Sequence, residues 1–444
     1  MSRLNATHDP NLQSWVESAN QPDTDFPIQN LPFGVMRSPN SNEPSRIGVA
    51  IGDQILDLSL CYKAGLLQQL PENLQIACAA PNLTQIMMMG SEATSLLRNH
   101  ISQLLRRNEQ PQEAQATLIS MSDVDLLLPT TIGDYTDFYA SIFHATNVGK
   151  LFRPDNPLLP NYKYVPIAYH GRASSIVPSN TAIARPQGQI KKPQASAPSF
   201  EFTQMLDYEL EVGFFIGSGN ELGQPIHLDK AEEHIFGLCL VNDWSARDIQ
   251  AWEYQPLGPF LAKSFATTIS PWVVTLEALA PFRCSALERA ENDPAPLPYL
   301  SSSLNTEIGG IDIKVEVLLR SAQMRAVGMT PFRLSCGSFK QMYWTVAQML
   351  AHHTSNGCNL RSGDLLASGT VSGPEKDSQG CLLEITQRGT QLVQLPTGEM
   401  RSFLCDGDEI ILRGYCEKQG HVRIGFGECR GTILNAVKNS IFTP

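Results

Sequence analysis

Short apolar runs separated by turn residues dominate the chain from about residue 119 onward, and this pattern predicts strands more than helices. The runs rich in β-branched and aromatic residues include SIVPSN, YELEVGFFIG, WVVTLEAL, IDIKVEVLL, GDEIILRGYC and VRIGFG. Only two stretches in this part keep a helical pattern, SARDIQAWEY and FKQMYWTVAQMLAHHTSN. We therefore predict a mainly β domain with its polar motifs at strand ends and in loops.

The N-terminal part of the chain carries a different pattern. In RIGVAIGDQILDLS, the pair Gly52-Asp53 between two apolar stretches predicts a β-hairpin. Apolar residues at helical spacing then predict a helix over about 91–107 (Ala93, Leu97, Ile101, Leu104). The polar stretch NEQPQEAQ ends that pattern. We predict a tail or short docking segment over 1–25, an N-terminal domain over 26–118 and a C-terminal domain over 119–444.

Length and charge narrow the classes of protein. A chain of 444 residues is too long for one ordinary core, which agrees with two domains. The net charge of −11 disfavours nucleic acid and anionic membranes as partners, and no apolar run approaches transmembrane length. The ten cysteines form no C-x-x-C pair and are interpreted as reduced thiols. We expect a cytoplasmic protein with neither a nucleic-acid nor a membrane partner.

Four acidic residues stand in segments that are otherwise apolar. Glu209 and Glu211 lie two apart in a predicted strand, so both side chains point to the same face. Two carboxylates so placed repel each other unless a cation lies between them. Asp137 in DYTDFY and Asp243 after the apolar run IFGLCLV supply further oxygens. The simplest cation for such a set is Mg²⁺ or Ca²⁺, and the residues alone do not choose between them.

A histidine and three hydrogen-bond donors could act beside such a metal. His144 follows Asp137 by seven residues, and a neutral imidazole there could take a proton from water. The adjacent pair His352-His353 cannot share one helical face, so both are interpreted as structural.

The donors are Arg247, Gln250 and Lys263. Arg247 and Gln250 are three apart in a helical stretch directly after Asp243, and Lys263 stands in the apolar run GPFLAKSFATTISPW. Donors of this kind can stabilise an oxyanion. The segment YHGRASS has too few glycines for a phosphate-binding loop, so nucleotide binding is excluded.

Taken together, these segments resemble the fumarylacetoacetase family, in its two-domain branch. The matching motifs cover nearly the whole chain: RIGVAIGDQILDL, DYTDFY, HATNVG, LLPN, YHGRASS, LDYELE, NDWSARDIQAWEYQPLGPFLAKSFATTISPW, MYWT, HHTSNGCNLRSGDLLASGTVSGPE, DGDEIILRGYC and RIGFGEC. The block over 242–272 is the most specific of them. A smaller, single-domain branch shares only the metal core, whereas this chain also has the N-terminal part and the His144 motif.

The resemblance implies a mainly β (α+β) fold, with a small SH3-like β-barrel followed by a larger mixed β-sandwich or roll, in a homodimer. It implies Ca²⁺ and/or Mg²⁺ held by Asp137, Glu209, Glu211 and Asp243, with Lys263 and Thr267 close to the metal. It implies His144 as the general base, with Glu384 as its partner through the attacking water. Arg247, Gln250 and Lys263 would form the oxyanion site. Substrate contacts would come from Tyr139, Arg153, Gln250, Tyr254 and Thr370.

The implied function is hydrolysis of a carbon–carbon bond in a small anionic diketo acid. Fumarylacetoacetate and water would give fumarate and acetoacetate, the last step of tyrosine and phenylalanine breakdown. Two alternatives use the same metal site, an acylpyruvate hydrolase and a 2-oxo-acid decarboxylase. A third, from another class, is a non-catalytic β protein stabilised by Ca²⁺, against which the apolar context of Lys263 argues.

Overall fold

An antiparallel sheet of five strands forms the N-terminal part of the protein, whose computed structural model describes residues 4–108 and 112–436. The strands are β1 (Phe33–Arg37), β2 (Arg46–Ile51), β3 (Gln54–Asp57), β4 (Leu118–Ser120) and β5 (Asp125–Leu127), in the order β4-β3-β2-β1-β5. The helices are α1 (Leu58–Lys63), α2 (Glu72–Cys78), α3 (Thr84–Met88), α4 (Gly90–Leu105) and α5 (Gln112–Gln115). The predicted hairpin, β2–β3, and the predicted helix, α4, are both confirmed.

The segment before this sheet packs on the protein instead of trailing from it. It contains two short 3-10 helices, Ala6–His8 and Glu17–Asn20. Ser14 Oγ donates a hydrogen bond to the carbonyl of Leu105 at 2.9 Å, and Trp15 Nε1 donates to that of Leu104 at 2.9 Å. Over residues 4–25 the chain is therefore a docking segment along the end of α4.

The domain boundary predicted at 118/119 falls within β4, a strand of the first sheet. β5 pairs with β1, with Val35 opposite Leu127, so the first sheet takes strands from beyond that point. Of the polar stretch that suggested the boundary, residues 112–115 form α5, and residues 109–111 lie outside the described ranges. The N-terminal unit consequently ends after β5.

Two larger sheets build the rest of the molecule. The strands are β6 (Tyr135–Phe138), β7 (Ala168–Gly171), β8 (Ile176–Pro178), β9 (Ile183–Ala184), β10 (Gln187–Ile190), β11 (Ser199–Phe202), β12 (Leu206–Asp207), β13 (Leu210–Ile216), β14 (Ile235–Asp243), β15 (Ser245–Ala246), β16 (Thr267–Ile269), β17 (Val274–Thr275), β18 (Arg283–Cys284), β19 (Gly310–Ile311), β20 (Lys314–Arg320), β21 (Phe332–Ser338), β22 (Leu365–Ala367), β23 (Val393–Gln394), β24 (Met400–Arg401), β25 (Glu409–Cys416) and β26 (Ile424–Leu434). The central sheet is mixed, in the order β7-β6-β22-β13-β14-β16-β8 with β17 added to β14. The second sheet has the order β21-β20-β25-β26-β9. The predicted fold class, mainly β with a small N-terminal and a larger C-terminal β unit, is confirmed.

The helices of this part outnumber the two predicted. They are α6 (Ile142–Phe152), α7 (Arg247–Glu253), α8 (Ser303–Ile308), α9 (Ala322–Ala326), α10 (Val346–Thr354) and α11 (Leu382–Ile385). Short 3-10 segments also occur, at Met121–Asp123, Ala173–Ser175, Leu228–His234, Ala280–Phe282, Pro298–Leu300, Phe339–Gln341 and Lys376–Ser378. The helix predicted in FKQMYWTVAQMLAHHTSN forms only over its second half, because Thr345 and Gln348 build a capping box that begins α10 at Val346. Across the described ranges, we find no helix with the length and apolar character needed to cross a membrane.

α6 was missed although it carries His144. Its sequence, IFHATNVGKLF, contains β-branched and aromatic residues and a glycine, which weaken a helical pattern. Ser141 begins the helix, because its hydroxyl accepts the backbone N–H of His144 at 3.1 Å. Gly149 lies where a Cβ atom would come within 2.0 Å of the carbonyl oxygen of Pro157, so glycine allows the close approach of that loop. The polar motifs are therefore not confined to strand ends and loops.

The two histidines of α10 contact different neighbours. His352 Nδ1 lies 2.9 Å from the hydroxyl of Tyr299, and His353 Nε2 lies 2.9 Å from that of Thr136. Their interpretation as structural residues on separate sides of the helix agrees with these contacts.

Strand alternation makes the central sheet a partition between two cores. Every residue of β13 and β14 is buried, as expected for strands covered on both faces. Phe214 and Leu240 point into the core shared with the second sheet. Phe215 and Val241 point the other way, into the core shared with Phe33 and the rest of the N-terminal unit. The N-terminal unit thus packs on one face of the sheet, and the second sheet packs on the other.

Candidate metal-dependent active site

Four carboxylates meet at one end of the central sheet. Asp137 lies on β6, Glu211 on β13 and Asp243 at the end of β14, while Glu209 directly precedes β13. One carboxylate oxygen of each residue lies within 4.8 Å of those of the other three, and all four residues are buried. Asp137, Glu211 and Asp243 lie an even number of residues from the residues of their own strands that face the N-terminal unit, so all three project from that face of the sheet. The convergence predicted for Glu209 and Glu211 is therefore observed.

The donor set fits a hard divalent cation. Glu211 is 0% exposed, yet neither of its carboxylate oxygens, nor Oδ1 of Asp137, accepts a hydrogen bond from a described residue. Burial and the charge of Asp243 raise the pKa of Asp137 well above its ordinary value, and burial and Asp137 do the same to the pKa of Glu211. Buried oxygens without donors, in a carboxylate-only set, are what Mg²⁺ or Ca²⁺ would satisfy.

A lysine and two hydroxyls border this cluster. Lys263 is buried, its Nζ donating to Oδ2 of Asp243 at 2.9 Å and to Oε2 of Glu209. Burial works against the charge on Lys263, but Asp243 and Glu209 outweigh it and raise the pKa of the lysine. Thr267 Oγ1 donates to Oδ1 of Asp243 at 3.3 Å, and the Tyr169 hydroxyl donates to its Oδ2 at 2.7 Å. Lys263 and Thr267 thus lie beside the carboxylates, as the resemblance implies.

Arg247 connects the cluster to the next part of the site. Its Nη1 lies 2.7 Å from Oε1 of Glu209 and donates to the Gln250 side chain at 3.1 Å. Its Nε donates to Oδ2 of Asp207 at 2.9 Å, whereas its Nη2 is buried and finds no acceptor in the described part of the chain. Although burial would raise the pKa of Glu209, Lys263 and Arg247 hold it well below its ordinary range. Glu209 therefore stays ionised.

His144 and Glu384 form a direct pair. His144 Nδ1 lies 2.6 Å from Oε2 of Glu384, and both side chains are buried. Asn147 and Ser372 also donate to the Glu384 carboxylate, at 2.9 and 2.8 Å. Burial would raise the pKa of Glu384, but His144 and these donors lower it. Glu384 thus contacts the imidazole itself, where the resemblance placed it across a water molecule.

One cavity of about 560 Å³ brings these groups to a common space. Asp137, Glu209 and Lys263 line one part of it, and His144 and Arg247 line another. The residues expected to contact substrate all line it as well (Tyr139, Arg153, Gln250, Tyr254, Thr370). Thr267 lines a smaller neighbouring cavity of about 210 Å³ together with Asp243.

The two parts of the chain match two parts of one enzyme family. The family described as "Fumarylacetoacetase N-terminal" matches residues 29–129, and "Fumarylacetoacetate (FAA) hydrolase C-terminal" matches residues 135–434. The chain belongs to the fumarylacetoacetase family. Fumarylacetoacetase of Bos taurus is 50% identical over 422 residues, which span 94% of this chain and 97% of that protein. The same protein of Homo sapiens is 49% identical over 422 residues, with the same coverage.

A solved structure shows the same fold at lower identity. Fumarylacetoacetate hydrolase from psychrophilic Exiguobacterium antarcticum is 18% identical, with a TM-score of 0.51, and the match covers 91% of this chain and 99% of that one.

Several site residues of this fumarylacetoacetase family member were not predicted from sequence. Asp207 precedes Glu209 by two residues in LDYELE, so the same alternation rule would have included it. Tyr169 lies in YHGRASS, a motif that was recognised without a role for its tyrosine. Cys381 and Ser372 contact Glu384 because of how the chain folds back on itself, and no local sequence pattern indicates either contact. Arg388 also lines the cavity, and its backbone φ is 58°. No sequence pattern indicated this residue.

We expect the substitution Glu211→Gln to separate charge repulsion from metal binding. The pKa of Glu211 is raised in the folded protein, so its contribution to stability is lost as the pH rises and the group ionises. Glutamine removes that loss, so the metal-free variant should melt at a higher temperature than the metal-free wild type at neutral pH.

Metal should then stabilise only the wild type. At about 100 times Kd, a ligand that binds only the folded state adds about 2.7 kcal/mol to the free energy of unfolding. Melting temperatures measured in chelator, in Mg²⁺ and in Ca²⁺ give both effects. The control is Glu417→Gln, which removes a charge from an exposed ion pair with Lys314. An equal metal-induced rise in melting temperature in the wild type and Glu211→Gln would contradict the assignment.

Proposed function

We propose that this protein hydrolyses the carbon–carbon bond of fumarylacetoacetate to give fumarate and acetoacetate. The observation that carries the proposal is the shared cavity, which is lined by two of the clustered carboxylates and by His144, the partner of Glu384. The identity of about 50% to fumarylacetoacetase over nearly the full chain supports the same reaction. The place in metabolism follows from the substrate, as the last step of tyrosine and phenylalanine breakdown.

Asp137, Glu209, Glu211 and Asp243 would hold the divalent cation, which when bound supplies Lewis-acid polarisation of the diketone oxygens. The protein supplies the proton transfer. With the ring proton on Nδ1 facing Glu384, His144 has its Nε2 lone pair free to accept a proton from water in the cavity. The carboxylate of Glu384 fixes the tautomer and stabilises the imidazolium that forms. This is the role of an orienting acid in a nucleophile–base–acid relay.

Arg247, Gln250 and Lys263 provide donors for the oxyanion formed when water attacks the carbonyl. Arg247 Nη2 is buried beside the cavity and has no acceptor among the described residues. Gln250 uses its carbonyl oxygen to accept from Arg247, which leaves its amide N–H groups to donate. Lys263 uses two of its three N–H groups on Glu209 and Asp243. Donors already held in place cost little reorganisation as charge develops on the oxygen.

The rest of the cavity suits an anionic diketo acid with an unsaturated carbon chain. Tyr139 and Tyr254 supply aromatic walls, and Thr370 has a buried hydroxyl without a partner in the described chain. Arg153 lines the cavity and is exposed, and among the described residues its side chain donates one hydrogen bond, of 3.3 Å, to the carbonyl of Pro157. We assign to it the substrate carboxylate farthest from the metal.

We further propose Mg²⁺ or Ca²⁺ as the working metal, a cytoplasmic location and a homodimer. An all-oxygen ligand set supports the metals, and ten free cysteines support a reducing compartment.

Leu257, Phe260 and Leu261 are exposed next to one another, Leu257 at 96%, which supports burial against a second copy. Light scattering of the purified protein, expected to return twice the chain mass, tests the dimer.

A substrate screen tests the reaction itself. Purified protein with Mg²⁺ or Ca²⁺ should consume fumarylacetoacetate, followed by loss of its ultraviolet absorbance, with fumarate and acetoacetate identified by chromatography. Activity should disappear after thorough chelation. Release of CO₂, or faster cleavage of simple acylpyruvates, would assign the protein to the decarboxylase or acylpyruvate hydrolase alternative.

The variant His144→Ala should keep substrate binding and lose turnover by roughly 10²–10⁴-fold, because the proton acceptor is gone while the carboxylate cluster is intact. Steady-state rates and equilibrium binding of a non-hydrolysable diketone measure the two quantities. His353→Ala, on α10 and bonded to Thr136, is the control for loss of a partly buried imidazole. Near-normal turnover of His144→Ala would remove the water-activating role from this residue.

The variant Arg153→Met should raise KM for fumarylacetoacetate by about 10- to 100-fold, as expected for one lost charge-assisted hydrogen bond. For a diketone without the distal carboxylate, KM should change little. Arg333→Met, at an exposed pair with Glu316, is the matched control. If the effect appears in Arg388→Met and not in Arg153→Met, the carboxylate contact belongs to Arg388, whose guanidinium lies 4.8 Å from the centre of the Phe152 ring in the same cavity.

A further inference from the structure

A thiol lies against the carboxylate that orients His144. Cys381 Sγ is 3.2 Å from Oε2 of Glu384, the same oxygen that lies 2.6 Å from Nδ1 of His144. Ligand atoms of all three residues lie within 4.8 Å of one another, and all three residues are buried. Within the described ranges, this is the second group of three or more metal-ligating side chains, and it is separate in composition from the carboxylate cluster.

The chemistry of this group differs from that of the four carboxylates. One nitrogen, one sulfur and one oxygen form a ligand set for Zn²⁺ or Cd²⁺, whereas Mg²⁺ and Ca²⁺ prefer oxygen alone. Zinc bonds of about 2.0–2.3 Å place tetrahedral ligand atoms roughly 3.6 Å apart. Nδ1 of His144 and Sγ of Cys381 lie 2.6 and 3.2 Å from Oε2 of Glu384, so these ligand atoms would move apart by about 1.0 and 0.4 Å to hold the ion. Ser372 Oγ, 2.8 Å from Oε2 of Glu384, offers a fourth ligand atom.

We propose that His144, Cys381 and Glu384 form an inhibitory site for soft divalent metal ions of the Zn²⁺ and Cd²⁺ class. The ion binds Nδ1 of His144, Sγ of Cys381 and the Glu384 carboxylate. The thiol proton leaves to solvent, and the ring proton moves from Nδ1 to Nε2. The imidazole then presents an N–H to the cavity where it presented a lone pair, so it no longer accepts a proton from water.

The inhibition rests on the proposed function, since it assumes that His144 is the base. The binding does not, because it depends only on the three side chains. Burial raises the pKa of the Cys381 thiol well above its ordinary value, so metal uptake competes with a proton.

The first experiment measures inhibition. Initial rates are followed at saturating Mg²⁺ while buffered free Zn²⁺ is raised, and each variant is compared with its own rate in the absence of Zn²⁺. Cys381→Ser keeps a hydroxyl that can donate to Glu384 but removes the soft ligand. It should need at least about tenfold more Zn²⁺ for half-inhibition than the wild type. Cys405→Ser, at an exposed thiol, should match the wild type.

The origin of the inhibition is checked by competition. Extra Mg²⁺ should not restore activity, whereas a zinc chelator should restore it. Equal Zn²⁺ sensitivity of the wild type and Cys381→Ser, or full relief by Mg²⁺, would place the zinc at the carboxylate cluster and overturn the proposal.

The second experiment does not depend on activity. Co²⁺ added to the Mg²⁺-loaded wild type and to Cys405→Ser should give a near-ultraviolet charge-transfer band from the thiolate, which Zn²⁺ abolishes. Cys381→Ser, and Cys381→Ala if the serine variant does not fold, should lack the band. Absence of the band in the wild type overturns the site. A band in a protein that leaves fumarylacetoacetate intact supports the site and rejects the proposed function instead.

Discussion

The burial of several carboxylates at one point is the constraint on which the rest of this structure depends. Moving each ion out of water costs several kcal/mol, and the charges also repel one another. Lys263 and Arg247 compensate Glu209, but the oxygens of Glu211 have no donor among the described residues. The folded chain therefore keeps a buried negative charge that a divalent cation would neutralise, and this charge is what suits the site to a metal.

Asp207 ties this charge cluster to the proton-transfer pair. Its carboxylate accepts Nε of Arg247 at 2.9 Å and the backbone N–H groups of Leu382 and Leu383 at 2.8 and 3.0 Å. Those two residues begin α11, which carries Glu384. One buried acid thus holds both the donor that reaches Glu209 and the helix that positions the partner of His144. The two parts of the cavity are thus linked through this one side chain.

The parts of the fold and site that were predicted from sequence are those with a local pattern. The alternation of Glu209 and Glu211, the hairpin at Gly52-Asp53 and the spacing in α4 are all set within a few residues. The first sheet extends past the predicted domain boundary because β5 joins it through its pairing with β1, which no local pattern indicates. The helix α6 was not predicted because its apolar and β-branched residues weaken the helical pattern and obscure the role of Ser141 as its N-cap. The contact of Glu384 with His144 spans 240 residues, so only the folded chain brings these side chains together.

The double coverage of the central sheet has a consequence for synthesis on the ribosome. The N-terminal unit is translated first, and Phe33 packs at a ring-centroid distance of 5.8 Å on Phe236, a residue made about 200 positions later. At about 5–20 residues per second, that interval lasts about 10–40 s. For that time Phe33 lacks this aromatic partner, although Tyr135, Ile176 and Phe215 of the same core are made earlier. The apolar face of the nascent N-terminal unit is thus covered in steps, as successive strands of the central sheet leave the ribosome.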